Sequence, residues 1–228
     1  MSDILNNLIH LLKLEKIDDL IFRGESQDLG FRQVFGGQVV AQALSAAMQV
    51  APEDRILHSC HAYFLAPGDS QYPIIYDVET LREGRNFSAL RVKAIQHKNT
   101  ICHVTASFQV PEKGFEHQNT MPNIGAPEDF TDENMMLQKV AQTLPEPLNE
   151  KFAAERPFEV RTKYLNNPFN GTKLPAEQYS WFKTNGETPL DKNSAMFIGL
   201  FFRFSLYFDR TSSARKRLFT KRNESSNH

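Results

Sequence analysis

The stretch Phe35–Val50, FGGQVVAQALSAAMQV, decides the fold. Val39, Val40, Ala43, Leu44, Ala47 and Met48 recur at helical spacing, and most of them are small, so a broad side of the helix can be approached closely. The spacing predicts a buried helix that starts at the Gly36-Gly37 pair and stops before Pro52. Four strand-like stretches follow, at 56–65, 72–81, 87–96 and 101–110, separated by Pro67-Gly68, Gly84-Arg85 and Lys98-Asn99. These separators are turn chemistry, and their shortness predicts neighbouring antiparallel strands. Period-two alternation assigns the faces. Leu90, Val92 and Ala94 oppose Arg91 and Lys93, while Cys102, Val104, Ala106, Phe108 and Val110 oppose His103, Thr105, Ser107 and Gln109.

Outward from this centre, Ile4, Leu5, Leu8, Ile9, Leu11, Leu12 and Leu14 predict a short amphipathic helix, and Leu20–Phe22 predicts a leading strand. One long helix wrapped by an antiparallel meander is an α+β layer arrangement, and with the leading strand it has the pattern of a hotdog domain over 1–110. Residues 111–156 are polar, contain Pro111, Pro122, Pro127, Pro145 and Pro147, and read as a linker with one helix at 133–144. Strand signals restart at 158–161 and 179–183. Two strands cannot bury a core of their own, so 157–191 reads as the start of a second, incomplete domain.

The chain has 228 residues, 26 Lys plus Arg, 27 Asp plus Glu and 2 Cys, which excludes a disulfide scaffold and predicts a reducing, cytoplasmic setting. Residues 1–12 lack the basic cluster and cleavage site of a secretory leader, and no apolar run reaches the roughly 18 residues a membrane span needs. The net charge of −1 conceals an asymmetry: residues 192–228 hold eight basic and two acidic groups, leaving 18 basic and 25 acidic in 1–191. That basic tail also carries six of the 18 Phe residues. Ala195–Phe208 is too short to span a bilayer and has Arg203 midway, and Arg215–Arg222 has no accompanying nucleic-acid fold, so neither membrane insertion nor nucleic acid is expected.

Searches for catalytic chemistry are mostly exclusions. No Ser lies in a G-x-S-x-G frame, since Gly24-Glu25-Ser26 lacks the second glycine, and neither a Walker loop nor G-x-G-x-x-G is present. His58, Cys60, His61, Cys102 and His103 lie on two strands of one sheet. Alternation puts His58 and Cys60 on one face and His61 on the other, so no complete metal ligand set converges. His58 and Tyr63 read as structural. Gly36 and Gly37 remain: backbone N–H groups at a helix start can hold an anion or a thioester oxygen, although close helix packing needs glycine too.

The strings LLKLEKIDDLIFRGESQDLGFRQVFGGQVVAQAL (11–44), HAYFLAPGDSQYPIIYDVETLREGRNFSALRV (61–92), TASFQVPEKGFEHQNTMP (105–122) and FKTNGETPLD (182–191) together resemble the type II acyl-CoA thioesterases, cytoplasmic double-hotdog enzymes with peroxisomal relatives. The resemblance implies hydrolysis of medium- and long-chain acyl-CoA to free fatty acid and CoA, and no cofactor is expected; an isolated hotdog should expose a large apolar patch, so self-association into homo-oligomers is expected. It also implies that the catalytic Asp, hydroxyl residue and Gln lie in the second hotdog. No position here matches the family's T-I-D-H-S string or its later Gln motif, so no catalytic residue is assigned. Gly36, Gly37 and Gln38 are the candidate substrate-binding residues. The alternative is a non-catalytic hotdog that keeps acyl-CoA affinity or pairs with itself.

The genetic code offers a reading of the tail. Ser194–Phe204 can be encoded so that reading one nucleotide later gives QQCLLAYFSDF, Thr211–Phe219 likewise gives LHPHEKGFL, and Glu224–His228 with a TGA stop gives KVATID. The first resembles the helix expected at this point of the family, and the last ends inside the Asp motif. The expectation is a +1 change of reading frame from about Lys192 onward, which would leave a family-unlike, disordered tail.

Overall fold

The computed structural model describes residues 3–28, 32–146, 148–164 and 175–186. The described residues of 9–113 form one compact unit, and those from 114 onward, with the first residues of the chain, form another.

In the first unit, α1 (Asp3–Leu12), which begins in the second unit's share of the chain, leads into β1 (Glu15–Asp18) and β2 (Ile21–Gly24). Then come α2 (Gly36–Val50), β3 (Ile56–Phe64), β4 (Ile74–Glu83), β5 (Phe87–Gln96) and β6 (Asn99–Gln109). The six strands make one antiparallel sheet in the order β1-β2-β4-β5-β6-β3. The expected simple meander is therefore corrected at one point. β3 does not pair with β4; it crosses to the far edge and pairs with β6, as Cys60 opposite Ala106 and Phe64 opposite Cys102. Short turns identify neighbours in sequence, but here 64 to 74 is long enough to carry the chain across the sheet.

Helix α2 packs on one face of the sheet, mainly against β4, β5 and β6. That face presents Ile74, Tyr76 and Val78 from β4, Leu90, Val92 and Ala94 from β5, and Cys102, Val104, Ala106 and Phe108 from β6, all buried. Each fully buried Val or Leu contributes about 1.5–3 kcal/mol, so this layer holds the unit together. On the opposite face Arg91 pairs with Glu79 at 2.5 Å and Lys93 with Asp77 at 3.4 Å, the cross-strand arrangement that alternation predicts. Arg55, whose side chain is nearly buried, donates to Gly84 O at 2.8 Å and to Ser88 Oγ, tying the chain entering β3 to the β4–β5 hairpin.

The β5–β6 hairpin turns through two residues, His97 and Lys98, at φ of 48° and 69°. Two positive φ values in a two-residue loop are the type I′ geometry, for which Asn-Gly is favoured. Neither residue here is glycine. Lys98→Gly is expected to remove this strain and raise the melting temperature by about 2–4 °C, roughly 1 kcal/mol in a protein of this size. A lowered melting temperature would show that the turn is not strained.

The second unit corrects the domain boundaries. The segment expected to be a linker holds a 3-10 turn at Pro127–Asp129, the short strand β7 (Thr131–Asp132), α3 (Glu133–Ala141) and α4 (Leu148–Ala153). β7 pairs with β8 (Phe158–Thr162), which pairs with β9 (Ser180–Thr184), so the sheet has three described strands and starts well before 157. Asp132 caps α3, its Oδ1 accepting from Asn134 N at 2.9 Å and Met135 N at 3.2 Å. Proline-rich sequence concealed β7 because two residues are too few for an alternation signal. The expected tail over 192–228, and its disorder, lie outside the described residues.

Candidate functional site at the start of α2

Gly36, Gly37 and Gln38 form the first turn of α2, and all three are buried. Phe35 stands at the N-cap in an extended conformation and supplies no side-chain cap. The first amides to turn inward are those of Gln38 and Val39, which donate to Phe35 O at 3.0 and 3.3 Å. The N–H groups of Gly36 and Gly37 precede them, at the positive end of the helix dipole, and the helix has no acidic residue in its first turn.

Gln38 has a different part from the one expected of a ligand-facing side chain. Its carboxamide is fully buried, donates to Glu25 O at 2.9 Å and to Gln42 Oε1 at 3.5 Å, and accepts from Gln27 N at 3.3 Å. One turn on, Gln42 Nε2 donates to Leu11 O at 2.6 Å and Glu25 O at 2.9 Å, while its Oε1 accepts from the Tyr76 hydroxyl at 2.7 Å. Gln42, Tyr76 and Gly24 were not singled out in the sequence. A Gln at i and i+4 within an apolar stripe was the available signal, since a buried amide must find partners.

The thiols are unsuited to nucleophilic attack. Burial pushes the Cys102 thiol up to about 12, and burial also raises Cys60. Tyr76 is held well above the usual phenol range, first by burial and then by the nearby Cys102, so it serves as a neutral donor. Alkylation of the native protein by iodoacetamide is expected to modify Cys60 alone, slowly and faster as pH rises; denaturant should release Cys102. Prompt labelling of both would contradict the burial.

The candidate metal ligands stay apart. A register shift between Leu57 and Ser59 interrupts the alternation by which His58 and Cys60 were expected on one face. The His58 ring meets Phe87 edge-on at 6.0 Å, and Tyr63 stacks on His61 at 4.8 Å. Among the described residues no three His, Cys, Asp or Glu side chains gather to hold a metal ion.

A family model for the acyl-CoA thioesterase N-terminal domain matches residues 25–109, and a second, for acyl-CoA thioesterase, matches 147–218. Acyl-CoA thioesterase 2 of Haemophilus influenzae is 98% identical over 191 residues, covering 84% of this chain and 67% of its own length. The chain belongs to the type II acyl-CoA thioesterase family. Human acyl-coenzyme A thioesterase 8 is 33% identical over 183 residues, of which this chain spans 57% of the length. Among solved structures, the tesB protein of Mycobacterium avium subs. paratuberculosis aligns at TM-score 0.72 and 29% identity, covering 93% of this chain and 74% of that one. An acyl-CoA thioesterase II of Mycobacterium marinum aligns at TM-score 0.65 and 28% identity, covering 85% and 66%. The hotdog fold expected from the helix and its strands is that of a protein of Alicyclobacillus acidocaldarius described as having a hot dog fold, which aligns at TM-score 0.61 and 20% identity over 88% of this chain and 69% of that one. No helix among the described residues is long and apolar enough to cross a membrane.

Proposed function

We propose that this chain binds medium- and long-chain acyl-CoA, and that the start of α2 receives the thioester carbonyl. The observation that carries the reading is the 98% identity to an acyl-CoA thioesterase over 191 residues. In the hydrolysis, water adds to the carbonyl carbon, the negative charge moves onto the carbonyl oxygen, and collapse expels the CoA sulfur, which takes up a proton. Preorganised N–H groups such as those of Gly36 and Gly37 stabilise the oxygen as its charge develops. The attacking water needs a base within hydrogen-bond reach. Residues 1–191 contain no match to the family's Asp motif, so this chain cleaves the acyl-CoA it binds only when that motif is supplied by a restored reading frame or by another chain. Water is the only co-reactant, no cofactor is required, and a cytoplasmic, self-associating protein fits the chemistry.

The frame reading places the change near Lys192. The identity over 191 residues supports it, whereas the second family model runs on to 218. Nucleotide sequence across codons 190–194 decides between them: an in-frame junction with no missing or added base removes the frame change.

The second reading, a non-catalytic hotdog that holds acyl-CoA or pairs with itself, is favoured by the exposed apolar side chains Ile56 and Tyr63 of β3 and Leu65 just beyond it. Comparing thioester hydrolysis by this chain with that of a frame-restored version separates the two. Equal rates contradict the first reading's need for a supplied base, and a restored version that fails to hydrolyse favours the second.

A further inference from the structure

Residues 25–27, which follow β2, lie against the helix α2. They are held there by the buried side chains of Gln38 and Gln42, while the later described residues of the β2–α2 loop pair through their backbone with 68–70, Val34 N donating to Gly68 O at 2.8 Å. Glu25 O accepts from both Gln38 Nε2 and Gln42 Nε2 at 2.9 Å, and Gln27 N donates to Gln38 Oε1 at 3.3 Å. Gln42 makes four contacts at once, two as donor to Leu11 O and Glu25 O and two as acceptor from Tyr76 and Gln38. That exhausts the donors and acceptors of its carboxamide and fixes which way it points. Gly24 lies so close that a Cβ there would sit 2.8 Å from Gln42 Oε1. The end of α1, the β2–α2 loop and β4 therefore meet at one buried amide on α2.

Such an arrangement exceeds what packing needs. A leucine or methionine would fill the same space without requiring three satisfied partners, and fully satisfied buried networks fix one arrangement of the chain. What this network fixes is a loop beside Gln38, the residue next to the two glycine amides.

We propose that Gln38 and Gln42 are positioning residues that pin the β2–α2 loop at Glu25 and Gln27 against the first two turns of α2, shaping the wall beside the acyl-CoA carbonyl site. The pinning stands on the hydrogen bonds; the consequence for acyl-CoA rests on the function proposed above. Neither residue touches substrate.

The test uses the full chain, Gln38→Met and Gln42→Met, and Tyr76→Phe as a milder change that removes one hydroxyl. Amide hydrogen exchange at Gln27 is compared with that at Val92 and Val104 in the central strands. Affinity is measured for a long-chain acyl-CoA analogue whose thioester sulfur is replaced by methylene, which keeps the carbonyl and resists hydrolysis. Losing the two part-buried hydrogen bonds between Gln38 and the loop should speed exchange at Gln27 about tenfold in Gln38→Met while Val92 and Val104 keep their protection. Affinity for the analogue should fall about tenfold in both Met variants, and less in Tyr76→Phe. A purely structural role would accelerate exchange at all three positions together and overturn the proposal. So would unchanged exchange at Gln27, or faster exchange with unchanged affinity. If Gln42→Met does not fold, Gln38→Met and Tyr76→Phe decide. Failure of the unaltered chain to bind the analogue would overturn the acyl-CoA reading instead, and Gln27 exchange would still settle whether the glutamines hold the loop.

Discussion

Long-chain acyl-CoA presented to this chain should be hydrolysed about a thousandfold more slowly than by a version whose sequence after Asp191 is restored to the family's. The figure follows from what a positioned base is worth in proton transfer, about 10²–10⁴. Thioester cleavage needs both a stabilised oxygen and an activated water. In the proposed function the start of α2 supplies the first, through the N–H groups of Gly36 and Gly37. Among the described residues of the network behind it, Gln38 and Gln42 are amides, Tyr76 is a phenol held neutral, Cys102 is a thiol held neutral, and the Glu25 carboxylate is paired with Arg23 at 3.1 Å. The residual rate should be independent of pH near neutrality except for hydroxide attack. A steady-state assay with a thiol-trapping reagent measures both versions, and rates within a few fold of each other would place a working base in residues 1–191.

Gly24→Ala should lower the melting temperature by about 5–10 °C, roughly 2–3 kcal/mol for a chain of this length. The added Cβ would meet Gln42 Oε1, Cδ and Nε2 at 2.8–2.9 Å. The carboxamide is the end of a side chain and could move in principle. Moving it breaks the buried bond from the Tyr76 hydroxyl and the part-buried bonds to Leu11 O and Glu25 O, and buried bonds left unmade are costly. Gly114→Ala is the control: nothing lies within 4 Å of its added Cβ, and its effect should stay within about 0.5 kcal/mol. Thermal unfolding followed by circular dichroism checks both. Equal melting temperatures for Gly24→Ala and the unaltered protein would mean that the glutamine relaxes freely.

Much of the first unit was legible because its signals are long. The helix and the strands at 87–96 and 101–110 carry enough apolar residues at period 3.6 or 2 to assign both type and face, and Val92, Val104 and Phe108 are buried as alternation requires. Strand order was less legible. β3 contains few charged groups and reads equally well beside β4 or at an edge, and only the crossover of 64–74 sends it to β6. β1 (EKID) was missed because it is four exposed residues with no apolar alternation. β7 was missed for its brevity.

At the candidate site, glycines before a helix announced the helix start but not the network behind it. Gln38 was picked as a pocket residue, and its carboxamide is occupied with Glu25, Gln27 and Gln42. Hydrogen-bond partners 11 to 34 positions away in sequence leave no local pattern, so Tyr76 and Gly24 could be found only in three dimensions.

The central claim is that acyl-CoA is received at the start of α2. Titration of the methylene-linked long-chain analogue into isotopically labelled protein, followed through backbone amide resonances, tests it directly. Saturable shifts largest at Gly36 and Gly37 are predicted; saturable binding that leaves those two amides unmoved, or no binding at all, would contradict it.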